Sequence, residues 1–305
     1  MYDIIGDIHG NALELEQLLA KLGYQAHNGY YHHPERTAVF LGDFIDRGPA
    51  QKKTVDICRA MVEAGTARAV MGNHEFNAIC FATPDAHGDY LRPHHKISNV
   101  TDHQAFLDEF PFGSAEHDEV LAWFRTLPLF LDLGDIRIVH AVWHHPSLAI
   151  VAEYLDEHNC LLPGAYAPAS DKRHPMYDAI EHLLKGIELE LPSGYSFQDK
   201  GGKTRTSARI KWWQEDATHW HQATVGAGKG PFPQQPLPDD VYRYRDEVPL
   251  FVGHYWLNGE PEPLTERIAC VDYSVARPGG KLTAYRWSGE KSLRKENFVW
   301  VERAG

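Results

Sequence analysis

The chain has 305 residues, 43% of them hydrophobic and 24% charged, with a formal net charge of −12. Such a composition suits one large α/β domain or two small ones and needs no disordered tail to explain it. The acidic balance argues against tight non-specific binding to nucleic acid, and no run of about 18 apolar residues is present to span a membrane.

In chain order, Tyr2–Ile5 reads as a core strand directly after Met1, which implies no cleavable leader and a cytoplasmic protein. It runs into the turn-prone Gly6-Asp7-Ile8-His9-Gly10. Asn11 is expected to cap a helix whose Ala12, Leu15, Leu18, Leu19 and Leu22 recur at helical spacing. A second strand, Ala38–Leu41, ends in Gly42-Asp43-Phe44-Ile45-Asp46-Arg47-Gly48-Pro49, and a helix follows over Gln51–Glu63. A third strand, Ala67–Met71, leads into Gly72-Asn73-His74-Glu75. Three times a buried strand ends and a glycine-plus-polar loop begins, and open α/β sheets place their sites at such carboxyl ends.

Residues 83–126 read as a helical insert containing His94, His95 and His103. Leu129–Leu133 and Ile136–Val139 read as a hairpin about Gly134-Asp135 that delivers His140. Helices are expected at Pro146–Glu157 and Pro175–Lys185, and a long loop over residues 214–249, which lack periodicity. Strands return at Leu250–Val252, Ile268–Asp272, Lys281–Trp287 and Phe298–Val301. Strands in both halves supply polar residues, so residues 1–305 are read as a single domain. Cys58, Cys80, Cys160 and Cys270 form no C-x-x-C pair and read as buried thiols. The 19 histidines prove nothing by number, so position has to decide.

Asp7, His9, Asp43, Asn73, His74, His140 and His254 all stand at strand ends. Oxygen and imidazole donors of this kind suit a pair of divalent ions, with one carboxylate bridging them. Asp7 and His9, two residues apart, would point the same way if extended. Each residue alone has an ordinary explanation: a cap for Asp7-x-His9, a left-handed turn for Asn73. Three strand-to-loop junctions of the same kind in one chain are not so easily explained.

Gly6-Asp7-Ile8-His9-Gly10, Gly42-Asp43-Phe44-Ile45-Asp46-Arg47-Gly48 and Gly72-Asn73-His74-Glu75 resemble the three signature blocks of the calcineurin-like metallophosphoesterases. Asp46-Arg47-Gly48 and Asn73-His74-Glu75 look like the phosphoprotein phosphatase branch, which includes Ser/Thr phosphatases, diadenosine tetraphosphatases and RNA end-healing phosphatases. The resemblance implies an α/β (α+β) fold, with a central β-sandwich of mixed sheets flanked by helices. It implies Asp7, His9 and Asp43 on one metal, and Asp43, Asn73, His140 and His254 on a second. It makes His74 the general acid, oriented by Asp46, and has Arg47 clamp phosphate with Asn73 beside it. A further phosphate-binding arginine is expected downstream, Arg209 in preference to Arg205. His144 and His145 compete with His140 for its role, and His140-Ala141-Val142 departs from the His-Gly-Gly of protein phosphatases.

The expected cofactors are two divalent metal ions, manganese first, with iron, zinc, cobalt or magnesium as alternatives. The leading expectation is hydrolysis of phosphate monoesters, on protein or small molecules, by water activated between the ions. The alternative is a symmetrical diadenosine tetraphosphate hydrolase or a nucleotide or RNA-end phosphatase. An inactive metal-binding regulatory module is a third possibility, weakened by the joint presence of His74, Asp46 and Arg47. The expected partner is a phosphorylated substrate; neither membrane nor nucleic acid is expected, save as an end phosphate.

Overall fold

A computed structural model describes residues 1–198, 204–225 and 232–304. The strands Tyr2–Ile5, Thr37–Phe40 and Ala67–Ala69 lie side by side and parallel. Parallel neighbours need a crossover, and the helices Ala12–Leu22 and Gln51–Glu63 supply it. The strand Lys281–Trp287 runs antiparallel to Tyr2–Ile5, pairing Ile5 with Ala284, and carries Phe298–Glu302 as its own partner. A second sheet has the order Ile268–Cys270, Leu250–Val252, Arg137–Val139, Phe130–Asp132, with only the last pair antiparallel.

Side chains alternate faces along a strand, and that alternation builds the layers. Ile4, Val39, Ile138, Phe251 and Ala269 meet in one fully buried cluster between the sheets. Their neighbours Ile5, Phe40, Val139, Leu250 and Val252 join a second cluster with helix residues such as Leu15, Leu18, Met61, Ile180 and Leu183. The result is a β-sandwich flanked by helices, as the family resemblance implied. The hairpin before His140 and the helix Pro175–Lys185 are also where they were expected. All four cysteines are buried free thiols. No helix among the described residues is long and apolar enough to cross a membrane.

Several local expectations need correction. Asn11 makes no side-chain cap; its Nδ2 donates instead to the carbonyls of Ile8 and His9 and so braces the preceding loop. A helix at Asn73–Ala82 was not foreseen. Eight of its ten residues are buried, so it shows no polar face to mark its period. The helix expected over residues 146–157 runs only from His145 to Val151, with a single tighter turn to Tyr154. The insert forms two helices, Ile97–Glu109 and Ala115–Phe124. The long loop holds one short helix, Trp220–Ala223, and residues 226–231 of it lie outside the described residues.

Candidate metal centre

The loops after the three parallel strands and those after Arg137–Val139 and Leu250–Val252 converge at one edge of the sandwich. Close backbone approach makes this possible. A Cβ on Gly72 would lie 2.3 Å from the Asp43 amide nitrogen, and one on Gly253 would lie 2.2 Å from Asp7 Oδ1. The backbone is strained here as well. His9, Asp43, Asp46, Arg47, His254 and Trp256 all have positive φ, between 49° and 72°, and such strain gathers at functional sites. Asp7-x-His9 is therefore not extended.

Asp43 is the hub. Its Oδ2 lies 3.7 Å from His9 Nε2, 3.9 Å from His74 Nε2 and 3.4 Å from His140 Nε2. Two overlapping triplets share it: His9, Asp43 and His74, and Asp43, His140 and His254, with ligand atoms in each lying within 4.8 Å of one another. Asn73 Oδ1 is 2.8 Å from His254 Nδ1 and 3.2 Å from His140 Nε2. Asp7 belongs to neither triplet; its carboxylate accepts the His254 N–H at 3.1 and 3.3 Å. His144 and His145 lie elsewhere, on Ser147 and Asp246.

Imidazole rings are aimed by the hydrogen bond at their other nitrogen. His9 Nδ1 meets the Ile45 carbonyl at 2.8 Å, and His140 Nδ1 meets the Leu41 carbonyl at 2.6 Å. The Nε2 atoms of His9 and His254 are left buried with no partner. Burial, then the neighbouring His74, pushes His9 down to about 3, so its ring is neutral and free to ligate. Burial, then Arg209 and His140, holds His254 well below the usual histidine range. Burial and the adjacent Asp272 and Asp43 charges push Asp7 well above the carboxylate range. Partnerless nitrogens beside crowded buried carboxylates fit divalent metal cations that accept mixed nitrogen and oxygen donors.

Beside the hub, His74 Nδ1 lies 2.5 Å from Asp46 Oδ2. Asp46's other oxygen meets His103 Nδ1 at 2.9 Å. Burial opposes the Asp46 charge, but these two hydrogen bonds hold its carboxyl well below the usual range. Burial likewise opposes a charge on His74, yet Asp43 and Asp46 raise its pKa above the ordinary value. The arrangement can keep a proton on His74 facing the hub.

Arg47 is exposed, with Nη2 3.3 Å from His74 Nε2 and its guanidinium 3.8 Å from the Trp256 ring centre. It forms no ion pair with Asp46 or any other described residue. Arg209, on the strand Ser207–Arg209, bonds Glu188 at 3.3 Å and leaves its Nε buried without a partner, and its charge helps hold His254 down. Arg205 sits on the exposed strand Thr204–Arg205.

Sequence reasoning missed four contributors. Glu75 accepts the N–H groups of Asp43, Phe44 and Gly72, pinning two site loops together. His103, placed from sequence only within the helical insert, reaches Asp46 from there. Buried Asp272 accepts the Trp256 and Ser274 amides, and Trp256 carries Arg47. A Glu three residues after Gly72, at the start of a helix, was the available signal for Glu75; the others had none.

The chain belongs to the calcineurin-like phosphoesterase family, whose model matches residues 2–167. A bis(5'-nucleosyl)-tetraphosphatase of the asymmetrical kind from Oceanobacillus iheyensis is 35% identical over 140 residues, 46% of this chain and 54% of that one. A symmetrical bis(5'-nucleosyl)-tetraphosphatase from a Janthinobacterium species is 33% identical over 137 residues, 45% of this chain and 42% of that one. The chain thus spans about half the length of these relatives. A protein serine/threonine phosphatase from Saccharomyces cerevisiae shares the fold, with a TM-score of 0.50 at 15% identity, covering all of this chain and 79% of that one.

Proposed function

We propose that this chain binds two divalent cations, manganese first among them, and hydrolyses phosphoric anhydrides, with dinucleoside polyphosphates as the favoured substrates. The observation that carries the hydrolytic reading is the convergence of three imidazole Nε2 atoms on one buried Asp43 oxygen. The relatives' names favour the anhydride over the monoester that the sequence first suggested.

The proposed ligands are Asp7, His9 and Asp43 for one ion, and Asp43, Asn73, His140 and His254 for the other. Such ions supply Lewis acidity and lower the pKa of water. The remaining steps fall to the chain's own side chains. Arg47 and Arg209 bind and orient phosphate oxygens, Arg47 through a planar fork of donors. His74, held at Nδ1 by Asp46, gives its Nε2 proton to the departing oxygen, and Asp46 keeps that ring in the productive orientation.

The test compares turnover of the manganese-loaded protein on diadenosine tetraphosphate and on an aryl phosphate, beside Asp43→Asn. Preference for the dinucleotide, with loss of both metal and turnover in the variant, is expected. Faster monoester turnover overturns the substrate assignment, and full metal content in the variant overturns the centre.

A further inference from the structure

We propose that Arg277, stacked with Arg47 on the indole of Trp256, forms a second phosphate subsite beside the metal centre. This subsite selects substrates whose reacting phosphate is linked to further phosphates, and it rests on reading the centre as a phosphate-hydrolysing site.

The Arg47 guanidinium lies 3.8 Å from the Trp256 ring centre and that of Arg277 lies 4.0 Å from it. The two cations are therefore no more than ~7.8 Å apart. Neither has a carboxylate within ion-pair distance among the described residues, although the chain carries 42 acidic residues against 30 basic ones. Some other arginines are paired: Arg36 sits on Asp3, Arg59 on Glu63 and Glu119, and Arg137 on Asp132 and Asp246. Two guanidiniums on one ring, neither held in an ion pair, present donors that an anion spanning them can satisfy.

The platform is built rather than incidental. Trp256 stands two residues beyond His254 and has φ of 52°. Its N–H donates to buried Asp272 Oδ2 at 2.7 Å. Arg277 sits in a tight loop, its N–H donating to the Ser274 carbonyl at 2.8 Å while its own carbonyl accepts from Gly280 at 2.9 Å. A Cβ on Gly280 would lie 1.9 Å from Ser274 O, so this turn has little freedom. With both cations already on the indole, a nucleobase is not the fitting occupant. Phosphoryl groups linked through anhydride oxygens are, because they offer oxygens to both guanidiniums while the reacting phosphate stays at the hub.

Calorimetric titration of the metal-loaded protein with orthophosphate and with tripolyphosphate in its non-hydrolysable methylene-bridged form, each in excess magnesium, tests this by binding alone. Wild type should bind tripolyphosphate the more tightly. Arg277→Met, which keeps the packing stem, should weaken tripolyphosphate about tenfold or more, as loss of a charge-assisted contact does. Orthophosphate should weaken far less, and Arg277→Lys should recover part of the loss. Equal weakening of both anions, no weakening of either, or no tripolyphosphate preference in wild type overturns the subsite. A wild type that hydrolyses neither anhydrides nor esters refutes the hydrolase reading instead, and the affinity ratio still decides the subsite.

Discussion

Glu75 offers the sharpest test of how the centre is held together. It is fully buried, and its two oxygens accept three backbone donors: Asp43 N–H at 2.8 Å, Gly72 N–H at 3.0 Å and Phe44 N–H at 2.9 Å. The first two share Oε2, and the third takes Oε1. Glu75→Gln places an amide –NH₂ against at least one of these N–H groups. A buried unsatisfied donor costs about 1–3 kcal/mol, so this variant should lose at least that range's lower end. Glu75→Ala orphans all three donors and leaves a cavity, and its loss should exceed ~3 kcal/mol. Because the Asp43 amide is one of the three, metal affinity should fall with stability. Urea denaturation of metal-free and metal-loaded protein, with metal content by emission spectrometry, measures both effects. An alanine variant within ~0.5 kcal/mol of wild type, holding full metal, would refute the argument, since surface changes alone stay in that range.

The remaining predictions concern protons. His74→Ala should slow turnover by roughly 10²–10⁴-fold with metal retained, and the loss should shrink for esters with good leaving groups. Uniform losses across leaving groups would deny the acid role. His103→Gln should shift the alkaline limb of the pH–rate profile to higher pH, since Asp46, less engaged by residue 103, would hold the His74 proton more tightly; an unmoved limb would leave His103 a merely structural residue. His144 is held down to about 4 by burial and then by His182 and His145. Between about pH 6.5 and 4 its unfolded form binds a proton that its folded form does not, so this residue drains stability as pH falls. His144→Asn, which keeps a helix-capping side chain, should therefore lose less stability than wild type across that window, as read from urea midpoints; parallel curves would count against it.

How much of this was legible beforehand follows from the range of the forces involved. Strand-to-loop junctions are local: apolar runs cut off by glycine and polar residues placed Asp7, Asp43, Asn73 and His74 at strand ends from sequence alone. The same local logic located the hairpin before His140 and the helix Pro175–Lys185. It failed at Asn73–Ala82, where burial on all sides erased the helical period. Only the tertiary structure decided how the rings are aimed and what flanks them. His140 is oriented by a carbonyl 99 residues away, and Asp46 is shared with a histidine 57 residues on. Trp256 joins two arginines drawn from opposite ends of the chain. Sequence spacing carries no record of such contacts, because they are fixed by the packing of two sheets and by backbone strain that those sheets sustain.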